Sequence, residues 1–171
     1  MSNMLLLLEE AERELPTLLA EGQGWHSLNV DYHPPFVERL WRPYGEGRLY
    51  LHRIHPCLPS AALFHPHPWP SAMRVVEGRY EMAVGYGPGM NHPPVAATMI
   101  LTRGSAYEMD KPDSWHYVRP LDKPTLSVMV TGKLWDREAP KSDKPLSPLH
   151  PVVIGELFSL FQKYYPQELP S

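Results

Sequence analysis

Apolar residues near the start of the chain recur every three or four positions, which is the period of an α-helix. The stripe comprises Met4, Leu8, Ala11, Leu15 and Leu18. Ser2 or Asn3 can cap the start of this helix. We expect Pro16 to kink or divide it, because proline removes a backbone donor. Gly22 and Gly24 should end it. The stripe then packs on the main body of the protein or on a second subunit.

A second helical stripe lies at the other end of the chain. It opens at Pro151 and ends at Pro166, the positions where proline is best tolerated around a helix. Its apolar positions are Val153, Leu157, Leu160, Phe161 and Tyr164. The pattern predicts one helix at each end of the chain.

Between these helices the pattern changes to short β-type runs separated by turns. The runs 36–42 and 48–55 flank a turn at 44–47, and the runs 73–76 and 80–84 flank Glu77-Gly78, so both pairs are predicted hairpins. Further runs cover 61–69, 98–102, 105–109, 114–119 and 125–131. Several short strands at this spacing favour a β-sandwich or a β-barrel.

We divide the chain into an N-terminal helical segment at 1–24, a β-barrel at 25–135, and a connection with the C-terminal helix at 136–171. The stretch 132–148 is polar and rich in proline, which predicts an exposed connection. The chain has 21 prolines in 171 residues, and this frequency argues against a helical bundle.

Charge and cysteine content exclude several classes of protein. The formal net charge of −3 gives no basic field for nucleic acid or for an anionic membrane. The apolar run at 5–8 is too short to span a membrane. Cys57 is the only cysteine, so no intrachain disulfide can form. We therefore expect a cytoplasmic protein.

The candidate chemistry begins at His65-Pro66-His67. Side chains alternate along a strand, so two histidines separated by one residue project to the same side and can share one metal ion. A third imidazole from a neighbouring strand, His116, would complete a cap that leaves other metal positions open.

These residues resemble the motifs of the cupin superfamily. His65 and His67 match the paired histidines of the first motif, and Gly78 matches its closing glycine. The segment 112–116, a proline turn followed by His116, matches the second motif. The sequence departs from the pattern at Ser71, which stands where the glutamate ligand is expected, and it lacks two of the motif glycines.

The resemblance implies an all-β fold, a double-stranded β-helix or jelly-roll barrel, with the two helices added at its ends. Superfamily members with three histidines and no glutamate include thiol dioxygenases and a β-diketone dioxygenase, which bind ferrous iron. A neutral cap leaves the ion its full +2 charge and favours anionic or chelating ligands. Fe(II) is the favoured metal, although Ni, Zn and Mn also accept imidazole.

Three further residues are candidates for contact with a substrate: Trp69, Arg74 and Tyr107. Trp69 has the same parity as the two histidines. Arg74, like Arg119, can hold a carboxylate by bidentate pairing.

Other residues leave the metal ligand set open. Glu81 and Glu108 are the nearest acids by strand order, and either can join the metal site or face solvent. A role for His52 on the strand surface is favoured over one in the pocket. The sequence identifies no catalytic residue.

The leading hypothesis is a metal-binding cupin. It would be a dioxygenase or a related metal-dependent enzyme that acts on a small organic acid or carbonyl compound. One alternative is a non-catalytic cupin that binds a small molecule, and another is a scaffold assembled through the terminal helices. A homodimer is expected, and it would not decide between the enzyme and the binding protein.

Overall fold

The computed structural model describes residues 3–167. Helix α1 spans Met4–Glu21 without division, and Pro16 lies inside it. The Asn3 side chain caps its start by accepting a hydrogen bond from the Leu6 amide, and Gly22 ends it at a φ of 66°. Its buried stripe is the predicted one, except that Leu19 takes the place of Leu18.

Ten strands follow α1, and a second helix closes the described chain. The strands are β1 (His26–Val30), β2 (Val37–Tyr44), β3 (Gly47–Ile54), β4 (His65–Pro66), β5 (Ser71–Glu77), β6 (Arg79–Tyr86), β7 (Val95–Thr102), β8 (Ala106–Met109), β9 (Ser114–Pro120) and β10 (Thr125–Thr131). Helix α2 spans Pro151–Tyr164. The run 61–69, predicted as one strand, is reduced to β4, since its prolines cannot donate to a ladder.

The strands form two antiparallel sheets. The larger sheet has the order β1-β2-β3-β10-β5-β8, and the smaller has the order β4-β9-β6-β7. The predicted hairpin at 44–47 joins β2 and β3, and it sets Arg39 opposite His52. The second predicted hairpin joins β5 and β6 through Gly78, whose φ of 83° suits glycine alone in this tight turn.

The larger sheet has two different faces. One face packs against α1 and α2 through apolar side chains such as Leu40, Leu51 and Val128. The other face turns toward the smaller sheet, and Tyr50, Met73 and Met129 meet Tyr80 and Met82 there. Alternation along each strand decides which face a residue joins.

This architecture is the predicted jelly roll with a helix at each end. The two sheets pack face to face and do not close into one continuous hydrogen-bonded ring. Among residues 3–167, no helix is both long and apolar enough to cross a membrane.

The connection 132–150 lies across one end of the space between the sheets, and we call it the strap. Backbone hydrogen bonds tie it down: Gly132 donates to Pro70, Trp135 donates to Pro68, and Asn29 donates to Ser147. The segment therefore forms part of a cavity wall, a role that its polar, proline-rich composition does not indicate.

Candidate metal centre

Three histidines meet between the two sheets. His65 on β4 pairs directly with His116 on β9, and His67 follows β4 by one residue. The ring centroids of His116 lie 4.6 Å from His67 and 5.0 Å from His65. One ligand atom from each ring lies within 4.8 Å of the other two. The fold therefore brings together the three histidines that the sequence spacing proposed as metal ligands.

The ring orientations suit metal ligation through Nε2. His65 Nδ1 lies 2.8 Å from the Leu63 carbonyl oxygen, so this nitrogen must carry the proton and Nε2 presents its lone pair. His67 Nδ1 lies 3.2 Å from the Ser71 hydroxyl, which leaves the Nε2 of His67 facing His116. Ser71, at the position of the missing glutamate, thus holds a histidine in place.

The distance between two of the ligand atoms fits a shared ion. His67 Nε2 and His116 Nε2 are 3.0 Å apart. Two nitrogens at a right angle around one ion, with bonds of ~2.1 Å, are separated by about the same distance. The residues present therefore fit a divalent transition metal.

All three imidazoles are held in the neutral form that a metal needs. Burial lowers the pKa of His65 to about 4, and it places the pKa values of His67 and His116 well below the ordinary value for histidine. No acid joins the cluster within residues 3–167. A bound ion would therefore keep its +2 charge.

The two candidate acids lie elsewhere. Glu81 accepts hydrogen bonds from Tyr117 and Arg119, away from the cluster. Glu108 accepts from the Leu5 amide of α1. Neither carboxylate therefore completes the ligand set.

A cavity of about 980 Å³ opens in front of the histidines. Its walls come from both sheets, from the loop 31–36 after β1 and from the strap. The basic side chains in its lining are Arg39, Arg137, Lys141 and Lys144, against the single acid Glu138. The volume suits a small molecule, and the described side chains that line the cavity carry more positive than negative formal charges.

The predicted substrate contacts lie in three different settings. Trp69 lines the cavity and stacks on His67 with 14° between the ring planes. Tyr107 packs 6.2 Å from the His116 ring, and its hydroxyl donates to Met73 Sδ. Arg74 lies on the helix side of the larger sheet, where its Nε donates to Glu12 at 2.7 Å.

Parity explains the position of Arg74. Ser71 contacts His67, so β5 turns its odd-numbered residues toward the cavity and its even-numbered residues toward α1. Arg119 is likewise occupied, because it pairs with Glu81. The two arginines that sequence analysis nominated for an anionic group are therefore already paired within the protein.

Two residues of the cavity wall were not predicted as site residues. Arg39 was not singled out, and His52 was assigned to a strand surface. Both line the cavity, and His52 is only 3% exposed. The turn at 44–47 carries a signal for them, because its register places positions 39 and 52 side by side on adjacent strands.

Comparison with known proteins supports the fold. No family model matches the chain, and no curated protein matches it. A hydroxypropylphosphonic acid epoxidase from S. wedmorenis gives a TM-score of 0.50 at 13% identity, over 63% of this chain and 55% of that chain. Streptomyces albus HEPD with 2-hydroxyethylphosphonate and Fe(II) bound gives a TM-score of 0.49 at 12% identity, over 85% of this chain and 31% of that one.

A structure of Fe(II) HppE gives a TM-score of 0.49 at 16% identity, over 61% of this chain and 54% of that chain. This chain thus spans little more than half the length of the first solved structures it matches. At such identities the likeness concerns the fold alone. Together with the sheet order, the likeness to the epoxidase shows that the chain has a double-stranded β-helix (jelly-roll) fold, and three histidines of metal-ligand geometry converge between its sheets.

Proposed function

We propose that this protein is a metal-dependent oxygenase. His65, His67 and His116 hold one divalent transition metal, with Fe(II) favoured, and the substrate is a small organic acid or a chelating carbonyl compound. The observation that carries the proposal is the convergence of three neutral imidazoles, without a carboxylate, on the wall of a cavity of about 980 Å³.

The chemistry of the ligand set supports this reaction class. When bound, the metal supplies a Lewis-acidic centre with open positions for ligands. The Leu63 carbonyl and the Ser71 hydroxyl orient two of the imidazoles, and Trp69 covers the His67 ring. Strap residues such as Leu134 and Arg137 form the adjoining wall of the cavity.

Metal analysis is the first test. Protein purified without chelator should contain about one equivalent of a transition metal, and His67→Ala and His116→Ala should each lose it. His26→Ala is the matched control, because His26 is an exposed histidine that stacks on Trp41 outside the cluster. A wild-type content below about a tenth of an equivalent after incubation with Fe(II), Ni(II), Zn(II) and Mn(II) rejects the metal site.

Oxygen consumption separates an enzyme from a binding protein. The Fe(II)-loaded protein is supplied with thiols, diketones and keto acids in turn, and uptake of dioxygen with at least one of them is expected. Tight binding of a compound without any uptake would favour the non-catalytic cupin instead.

The proposal includes a homodimer in the cytoplasm. Strand β7 lies at the edge of the smaller sheet and exposes apolar side chains, with Val95 and Ile100 each half exposed. Such an edge favours pairing with a second copy. Light scattering on the eluting protein tests this point, and a monomer at all concentrations would contradict it.

A further inference from the structure

Arg39 is a cation on the cavity wall that has no carboxylate partner among the described residues. Its Nε donates to His52 Nε2 at 3.0 Å, and its guanidinium carbon lies 4.9 Å from the centre of the Tyr50 ring. No aspartate or glutamate within residues 3–167 lies within ion-pair distance of it. The charge thus faces the cavity unneutralised.

Several arginines elsewhere in the fold are neutralised by an acid or held by backbone carbonyls. Arg74 pairs with Glu12, Arg119 pairs with Glu81, and Arg79 pairs with Asp122. Arg137, which also lines the cavity, donates to the carbonyls of Ser114 and Gly87 and so holds the strap.

Removing a guanidinium from water costs free energy unless an anion compensates for the loss. Burial accordingly lowers the pKa of Arg39, an effect that Tyr50 and Tyr32 partly oppose and that Arg48 slightly reinforces. A partner of opposite charge from outside the protein would remove that cost.

The orientation of Arg39 leaves its binding edge open. His52 occupies Nε, and Nε is the only nitrogen of Arg39 with a hydrogen-bond partner in the described chain. The two terminal nitrogens can therefore donate to two oxygens of one ligand group, the geometry in which guanidinium binds carboxylates and phosphonates.

We propose that Arg39 binds an oxyanion group of the substrate, and that His52 and Tyr50 position its guanidinium. The inference rests on the proposed function and deepens it, because it assigns the substrate to the class of small oxyanions that also reach the metal. Lys141 and Lys144 at the exposed rim have the same sign and would draw such an anion inward, against one rim acid, Glu138.

The test is an NMR titration of the full chain with small probes. Acetate, methylphosphonate and neutral acetamide are added to protein from which metal has been removed, so that no ion can bind the probe. We expect acetate or methylphosphonate to change the chemical shifts of the backbone amides near positions 39 and 52 until the site is saturated. Acetamide should cause no such change. Whichever of the two anions binds more tightly identifies the oxyanion. In Arg39→Gln the affinity should fall at least about tenfold, as for loss of a charge-assisted hydrogen bond.

Equal affinity of wild type and Arg39→Gln for both anions, or equal binding of acetamide, overturns the inference. Arg39→Lys provides a second variant that keeps the charge, and it should lose a smaller part of the affinity because lysine cannot donate in a fork. Arg74→Gln is the matched control on the opposite face, and its anion affinity should equal that of wild type.

The positioning role of His52 has its own readout. His52→Leu should weaken anion binding, whereas His52→Gln, whose amide oxygen can accept from Arg39 Nε, should restore most of it.

Failure of the anion site is distinguishable from failure of the proposed function. Protein that binds the anion through Arg39 yet holds no metal would reject the oxygenase and keep the anion site. Protein that holds metal and binds the anion equally well without Arg39 would reject the anion site and keep the proposed metal site.

Discussion

The two faces of the larger sheet carry opposite kinds of residue on the same strands. On the helix side, α1 and α2 cover an apolar surface, and its arginine on β5, Arg74, is neutralised by Glu12 of α1. On the cavity side, Arg39 and His52 stand beside methionines and aromatic rings without an acid to pair with. Because side chains alternate between the two faces of a strand, a shift of one position decides whether a charged residue pairs with α1 or lines the cavity.

His116→Ala should give the largest difference between an effect on metal affinity and an effect on stability. Removing one of three metal ligands should weaken metal affinity roughly a hundredfold or more, since even residues that only orient a ligand contribute ten- to a hundredfold. The free energy of unfolding of the metal-free protein should fall by less than in Leu15→Ala, because His116 lines the open cavity and its Nδ1 has no hydrogen-bond partner within the described residues. Competition with a chelating dye and urea denaturation measure the two effects. A variant that loses stability yet keeps metal would break the comparison.

Leu15→Ala tests the other face. Leu15 is fully buried between α1 and the sheet, so truncation should lower the free energy of unfolding by about 3 kcal/mol. Metal content should stay at the wild-type level, because the lost contacts lie on the helix side. Chemical denaturation and elemental analysis of the same sample give both values. Loss of metal from folded Leu15→Ala would show that the faces are coupled.

Ser71→Ala should have an intermediate effect. The hydroxyl lies 3.2 Å from His67 Nδ1, and its loss frees that ring to rotate. Metal affinity should fall about tenfold, the lower end of the range for groups that orient a metal ligand. Ser71→Thr, which keeps a hydroxyl at the same carbon, is the control. Equal affinities of all three proteins for Zn(II) would show that Ser71 only fills space.

Arg74→Gln should give the smallest effect. It removes a partly exposed ion pair, so the free energy of unfolding should fall by about 1 kcal/mol or less. Metal affinity and oxygen consumption should be unchanged. A large loss of activity in this variant would return Arg74 to the substrate site and contradict the assignment of the two faces.

The sequence predicts the fold class and the histidine cluster because their signals are local. The hairpin turns at 44–47 and 77–78, the paired histidines, and the proline turn before His116 each lie within a few residues. Proline also limits β4 to two residues, although the histidines still converge, because Leu63 and Ser71 fix their rings. Local rules therefore suffice for these features.

The position of the proposed anion site and of the cavity wall depends on how the two sheets and the strap pack together. The turn at 44–47 places Arg39 beside His52, but both residues face the candidate metal site only because the smaller sheet packs on that side of the larger sheet. If Ser71 faces the cavity, alternation along β5 places Arg74 on the opposite face and excludes it from the substrate site. No local pattern shows, however, that Ser71 faces the cavity. The strap's composition reads as a solvent-exposed linker, and only its tertiary hydrogen bonds make it a wall.

The strap joins the last strand to α2, so the cavity and the C-terminal helix share one mechanical connection. The Leu149 amide at its end donates to the Ser27 hydroxyl, and Arg137 near its start grips two backbone carbonyls. A ligand that binds the strap would also stabilise the packing of α2 on the sheet. Loss of α2 packing would remove contacts that hold the cavity wall in place. We therefore expect occupancy of the cavity to protect the C-terminal helix against local unfolding.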